Sequence, residues 1–474
     1  MVFVSKTVMD CSIKEDNFTS HYPCEALFHY AVPHGACICH SPGRCRAGIK
    51  SSGSFDLFQL FNNSSGVFSE DNAGPSTTNL HMKRFTGNIM QSTMFNVGML
   101  FLSHTAHIHH AAPIAFELSM DPRFKVTIFV SSEDNRELIE DLAAWYPGHR
   151  CTTVFLKPSL GYRITKAYKK KAFPRVSHIL KHHYQRFAAQ DIIISPHDNV
   201  TYLMERNGTK RTTYITTLHG MEDGERFNKR QTRYRGFDYL LVPGPYRWDY
   251  LKKQGLIHDH NATMIGYPKF DITLKKGATR LNLFSENRPV VLYNPHYDRH
   301  LSSWPAWGKK LLDFFAQSRD YNLIFAPHVK LFTKKSSKEL GKYQALPHIH
   351  VDVDSFNLVD MSYVPLTDIY IGDVSSQVFE YIYSPRPCLF LNPGNVNWKH
   401  RNGFAMWAMG DVVTTLDHFE AALQNTRKNH RMYGERQQTF IESRISPSDI
   451  PAGKRGAQAI IDYMTESGPG IKTQ

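Results

Sequence analysis

Three short stretches of this chain join residue types that can do chemistry to a local context that would present them. The apolar run Thr213-Tyr-Ile-Thr-Thr-Leu218 gives way to His219-Gly220, the run Leu323-Ile-Phe325 to Ala326-Pro327-His328, and the run Asp368-Ile-Tyr-Ile371 to Gly372-Asp373-Val-Ser375-Ser376. Imidazole titrates near neutrality, so a histidine at a strand end can take a proton from a hydroxyl, and a glycine beside it lets backbone approach a ligand closely. Such a histidine can equally pack or cap at a sheet edge. Two of them at corresponding places on separate sheets fit a reaction that draws groups from both sides of a cleft. In the third stretch Asp373 can orient the turn while Ser375 and Ser376 open a helix whose apolar face continues through Val378, Phe379 and Ile382. Helix starts offer unpaired N–H groups, and serines add hydroxyl donors, both suited to phosphate. A plain serine cap accounts for one of the two serines and leaves the second, and the glycine turn, without a role.

The elements that would position these residues are legible as two series of apolar runs. Val97-Gly-Met-Leu-Phe-Leu-Ser103, Val126-Thr-Ile-Phe-Val130, Asp191-Ile-Ile-Ile-Ser195, Thr213 to Leu218 and Tyr239-Leu-Leu-Val242 alternate with helix-compatible sequence. After Gly266-Tyr-Pro-Lys-Phe270 the apolar signal lapses, and it resumes in Val290-Val-Leu-Tyr293, Leu323 to Phe325, Ile349-His-Val351, Asp368 to Ile371 and Cys388-Leu-Phe-Leu391. Continuous apolar strands between helices indicate parallel sheets covered on both faces. The expected fold is therefore α/β, with two Rossmann-like lobes facing a central cleft, over residues 86–280 and 281–474, joined near 272–288. Ligands of open parallel sheets sit beyond the carboxyl ends of the strands, where the three stretches fall.

Composition narrows the partners. The chain has 474 residues and carries 56 Lys and Arg against 43 Asp and Glu, a formal net charge of +13, so an anionic partner is expected. The basic residues form only short runs, Lys169 to Lys171 and Lys181 to His183, and no stripe with interleaved aromatics or recognised nucleic-acid motif appears. No stretch approaches the roughly 20 apolar residues that span a bilayer, and Met1-Val-Phe-Val-Ser-Lys6 turns polar without the apolar core of a secretory signal. Of the seven cysteines, five lie within the first 45 residues, which disfavours a disulfide framework and favours a reducing compartment. Neither the Cys37-Ile-Cys39-His40 segment nor the His104-Thr-Ala-His107-Ile-His109-His110 cluster has the spacing of a standard zinc site. The latter follows the first strand and reads instead as a loop contacting an anionic acceptor or donor; no metal and no cofactor is expected. Residues 1–85, with their Ser, Gly, Asn and Pro clusters, read as a disordered leader, or as sequence ahead of a start at Met82, Met90 or Met94.

Taken in order, Leu218-His-Gly220, Gly266-Tyr-Pro-Lys-Phe-Asp271, Leu292-Tyr-Asn-Pro295, Pro327-His328, Thr367-Asp-Ile-Tyr-Ile-Gly-Asp-Val-Ser-Ser376, Phe379-Glu-Tyr381 and Pro387 to Phe390 resemble the CDP-glycerol glycerophosphotransferases of teichoic acid synthesis. The resemblance covers about 190–395 and reaches weakly to 97. It implies a GT-B-like fold, with an acceptor-side first lobe and a nucleotide-donor second lobe. It further implies His219 as catalytic base, with Gly220 beside it, and His328 as a second essential histidine near the donor phosphates. Ser375 and Ser376, with Gly372 and Asp373, match the diphosphate site, and Glu380 matches an acidic residue at the donor ribose. His104 and His107 are acceptor-side candidates. The chain departs from the family in Met221-Glu-Asp-Gly-Glu225, where Thr-Pro and lysines are common, and in Asp373-Val-Ser-Ser376, where Asp-Tyr-Ser-Ser is.

The function so implied is transfer of glycerol phosphate from CDP-glycerol to an acceptor hydroxyl with release of CMP, in cell-envelope polymer synthesis. The expected partners are that donor or another nucleotide-linked one, a lipid-linked or polyol or sugar acceptor, and no nucleic acid. The expected place is cytoplasmic and peripheral on the inner face of the cell membrane. Two other classes share parts of the pattern: a GT-B glycosyltransferase or UDP-sugar 2-epimerase, separable by the nucleotide released, and a non-catalytic anion-binding protein, separable by steep salt dependence without turnover.

Overall fold

The structure is a computed structural model and describes residues 94–165, 173–206, 212–218, 231–258, 260–276, 281–332, 336–375, 377–401 and 403–466. The expected leader over 1–85, the Cys37 to Cys39 segment, the run Lys169 to Lys171, His219, Gly220, the Met221 to Glu225 departure and Ser376 lie outside the described residues.

Thirteen described strands make two sheets in which every pairing is parallel. The first contains β1 (Phe95–Phe101), β2 (Phe124–Val130), β3 (Thr152–Phe155), β4 (Ile192–Ser195), β5 (Thr213–Thr217), β6 (Tyr239–Val242) and β7 (Ala262–Met264), in the order β3-β2-β1-β4-β5-β6-β7. The second contains β8 (Val290–Asn294), β9 (Asn322–Phe325), β10 (Ile349–Val351), β11 (Ile369–Gly372), β12 (Cys388–Leu391) and β13 (Asp411–Val413), in the order β10-β9-β8-β11-β12-β13. Each chain path starts in the middle, runs outward on one side and returns to fill the other. The reversal falls between β1 and β4 in the first sheet and between β8 and β11 in the second, so each sheet has one crevice at its carboxyl edge where a ligand can enter between diverging loops.

Burial on both faces explains why these runs become strands. Along β1, Val97, Met99 and Phe101 join one core layer while Leu100 joins the other, the period of two that a strand imposes. Along β8 and β9 the same alternation sends Leu292 and Ile324 to one layer and Val291, Tyr293, Leu323 and Phe325 to the other. The strands that escape the sequence pattern, β3, β7 and β13, all lie at sheet margins. Each keeps partly exposed positions and so lacks the continuous apolar run of an inner strand.

Two connections tie the halves together. The motif from Gly266 to Asp271 opens the helix Pro268–Lys276 just after the first sheet. Gly266 has φ of +85°, and a Cβ there would meet the Arg455 guanidinium, so only glycine suits the turn. Lys269 reaches Glu380 of the second lobe with Nζ to Oε1 at 2.5 Å, both side chains about 6% exposed. Asp271 accepts the first two N–H groups of the C-terminal helix Ala452–Glu466, from Ala452 at 2.9 Å and Gly453 at 2.5 Å. That helix packs back on the first sheet: Ala457, Ile460 and Met464 share a core layer with Val97, Ile114 and Phe116. Gly453 and Gly456 permit the approach, because a Cβ on Gly453 would stand 2.7 Å from Pro113 Cβ and one on Gly456 would stand 2.9 Å from Ile114.

Candidate active site

The first crevice is lined by polar groups that follow β1 and β4. Asn135 fixes the chain after β1, its amide donating to Phe101 O at 2.9 Å and to Ser103 O at 2.8 Å. The Ser103 hydroxyl bonds His197, which follows β4, and lies 3.2 Å from His107 Nδ1. His107 and His197 rings meet edge to face at 3.9 Å. One serine thus straps the two sides of the crevice through the imidazole beyond β4. His104 stands nearby, its ring stacked on Phe173 at 5.9 Å and its Nδ1 accepting the Ala106 N–H at 3.2 Å.

The second crevice has the same plan with a different strap. Asp373, wholly buried after β11, accepts the His296 N–H and the Ser303 N–H with one carboxylate oxygen, each at 2.9 Å. Burial pushes its carboxyl up to about 7, against those two N–H bonds, which pull it down. Gly372 is required by packing: the Tyr370 hydroxyl occupies the space a Cβ would need, 2.6 Å away, while it donates to Asn294 Oδ1 at 3.2 Å. Ser375 is nearly buried and its hydroxyl accepts the Gln377 N–H at 3.2 Å, ahead of the helix Gln377–Tyr381. The Tyr370 hydroxyl is a second hydrogen-bonding neighbour of Ser375.

His328, after β9, is the centre of the second lobe's polar edge. Its N–H donates to Pro295 O at 3.0 Å, and its Nδ1 accepts the Lys330 N–H at 3.2 Å. A ring whose Nδ1 accepts carries its proton on Nε2 and presents an N–H there. Burial, followed by the neighbouring His296, Lys330 and His104, holds its pKa down at about 3. The ring is therefore neutral throughout the physiological range and carries its proton on Nε2. Tyr297 packs on it at 4.5 Å and Lys330 lies over the Tyr297 ring at 5.2 Å.

The charge of His104 bears on His328 and that of Lys330 on His104, so loops of both lobes meet in one place. A cavity of about 240 Å³ opens there, lined by His104, Thr105, Asp134 and Phe173 from the first lobe and by Val329, Phe332, Asp354, Ser355 and Phe356 among others from the second. Glu380 is buried and engaged with Lys269. Of the expected site residues, the fold brings His328, Asp373, Gly372 and Ser375 to one lobe's carboxyl edge and His104 and His107 to the other's. Sequence reasoning passed over His296, Lys269, Lys330 and His197. His296 carried a usable signal, since it follows Asn294-Pro295 at a strand end just as His328 follows Ala326-Pro327. Among the described residues, no three His, Cys, Asp or Glu side chains are grouped to hold a metal ion.

Comparison with known proteins bears on this arrangement directly. The family model for CDP-Glycerol:Poly(glycerophosphate) glycerophosphotransferase matches residues 124–461. The chain belongs to that family. A search of curated proteins found no match. Among solved structures, a variant of the wall teichoic acid polymerase TagF is similar with a TM-score of 0.55 and 18% identity, covering 80% of this chain and 90% of that one. The same polymerase soaked with CDPG gives 0.51 and 20% over 73% and 90%. A UDP-N-acetylglucosamine 2-epimerase described as putative, from Listeria monocytogenes, gives 0.54 and 12% over 81% and 100%. These likenesses establish the fold, two Rossmann-like lobes in a GT-B-like arrangement, as expected from the sequence. The family match makes this glycerophosphotransferase an enzyme of the predicted kind.

The Asp373 strap has a measurable pH signature. Its folded pKa, about 7, lies above the ordinary 3.8, so the stability it contributes is complete below about pH 4 and is lost as pH rises through 7. Asp373→Asn can keep both backbone bonds without an ionisable proton. Relative to that variant the wild type is expected to lose on the order of 4 kcal/mol of unfolding free energy between about pH 4 and pH 7, read from urea melts. Parallel pH profiles for the two proteins would show that Asp373 is not held neutral.

Proposed function

We propose that this glycerophosphotransferase binds CDP-glycerol at the carboxyl edge of the second sheet and passes glycerol phosphate to an acceptor hydroxyl presented by the first. The observation that carries this is the family match over residues 124–461 together with a neutral, donor-tautomer histidine, His328, beside the crevice between β8 and β11. His219 takes the proton of the acceptor hydroxyl. The hydroxyl oxygen attacks the phosphorus that bears glycerol, the bond from that phosphorus to the bridging oxygen breaks, and CMP leaves with the electron pair on its phosphate. Charge developing on that phosphate needs donors already in place. His328 Nε2–H, Ser375 and Ser376 supply them in this proposal, with Gly372 and Asp373 shaping the turn ahead of Ser375. Glu380 is the proposed ribose contact, an assignment in which Lys269 holds its carboxylate in place. Gly220, His104 and His107 are the proposed acceptor side, and an acceptor carried on a lipid is the proposed substrate class.

Purified protein given CDP-glycerol and UDP-N-acetylglucosamine in parallel is expected to release CMP from the first and no UDP from the second. His219→Ala should slow CMP release by about 10²- to 10⁴-fold, the usual worth of a general base, with the melting temperature unchanged. UDP release without CMP release would favour the nucleotide-sugar reading.

Peripheral attachment to the inner face of the cell membrane completes the proposal. It rests on the net charge of +13 and on the absence, among the described residues, of a helix long and apolar enough to cross a membrane. Each Lys or Arg close to an anionic surface contributes about 1 kcal/mol and is screened by salt. Co-sedimentation with phosphatidylserine vesicles should therefore fall in a graded way as salt rises, and failure to sediment at low salt would contradict it.

A further inference from the structure

Three histidines at strand ends share one local geometry. His104 after β1, His296 after β8 and His328 after β9 each accept, with Nδ1, the backbone N–H two residues on: Ala106 at 3.2 Å, Asp298 at 3.0 Å and Lys330 at 3.2 Å. In each ring the accepting Nδ1 leaves the proton on Nε2, so all three are hydrogen-bond donors of the same tautomer. His328 and His104 already have places in the proposed function, and His296 has none. His296 is held at both ends, since its own N–H is clamped by the buried carboxylate of Asp373 at 2.9 Å and its ring lies edge-on to that of His328, centroids 5.5 Å apart. It is half-buried, and it stands on the β8 side of the second crevice, across from Ser375 on the β11 side.

We infer that His296 is a second donor histidine of this lobe, giving a hydrogen bond from Nε2 to the diphosphate of CDP-glycerol beside that of His328. The inference rests on the proposed function. Two adjacent neutral donors suit a diphosphate, whose two phosphates present oxygens a few ångströms apart, and neither ring has to be charged for the bond to form. As CMP leaves, its phosphate gains charge, and a donor already fixed by a loop bond and a backbone clamp needs no reorganisation to meet it. His296 then touches substrate and counts with the catalytic residues, distinct from Asp373, which positions it.

The ring has a second job, capping the Asp298 N–H, and two substitutions separate the jobs. His296→Asn can keep the cap with its side-chain oxygen and loses the distal N–H; His296→Gln loses the near cap and carries an N–H near the place of Nε2. Binding of CDP-glycerol is measured by calorimetry, alongside kcat for CMP release and the melting temperature without ligand. The expected result is a loss of about 10- to 100-fold in donor affinity or kcat for His296→Asn, with a melting temperature near that of the wild type, and a smaller loss for His296→Gln. Wild-type affinity and kcat in His296→Asn would overturn the inference while leaving the proposed function intact. Failure of the wild type to bind CDP-glycerol would overturn both, and a defect confined to His296→Gln would reduce His296 to a loop cap.

Discussion

A carboxyl group with no exposure organises the donor lobe. Asp373 lies where β11 ends, and with a single oxygen it holds the backbone of His296 and of Ser303, both beyond β8. These are the two strands between which the second sheet reverses. Without such a tie the loops on either side of a switch point are free to diverge, and a crevice becomes a gap. Burying the group costs free energy, expressed as a carboxyl pushed up to about 7, and the two N–H bonds offset part of that cost. The first sheet meets the same geometric need with Ser103 and His197. Both crevices are thus fixed by short polar ties across the reversal, and the loops that carry chemistry are fixed with them.

From this follows the division of labour along the chain. The inner strands, buried on both faces, form a frame that determines where each loop starts. The loops then supply histidines whose tautomer is set locally by an N–H two residues on. The family motif from Gly266 to Asp271 is partly architectural: Lys269 joins the first lobe's last helix to Glu380 beside the donor turn, and Asp271 anchors the C-terminal helix against the first sheet. A buried ion pair between the lobes is strongly sensitive to loss of either partner, so the relative placement of the lobes and the state of Glu380 are linked.

The inner frame was legible in the sequence because strands buried on both faces are mostly apolar, as Ile192 to Ile194 and Val291 to Tyr293 are. Thr152 to Phe155 and Asp411 to Val413 were not legible, since an edge strand answers to one neighbour only and keeps polar positions. The return of the C-terminal helix to the first sheet was also hidden: its apolar face is visible, but nothing local names its partner. His328 and Ser375 could be found from their place after strands. His296 sits in an equivalent place, yet its significance emerges only when its ring is seen beside His328 and its N–H on Asp373, contacts between segments 32 and 77 residues apart.

The central claim is that the crevice between β8 and β11 is the donor site. Hydrogen–deuterium exchange with and without CDP-glycerol tests it most directly, because the loops concerned are separate in sequence. The account predicts slowed exchange in the segments around 294–298, 328–330 and 373–378, with the edge strands β3 and β13 unaffected. Protection confined to 103–107 and 195–198 in the first lobe, or spread evenly over both sheets, would contradict it.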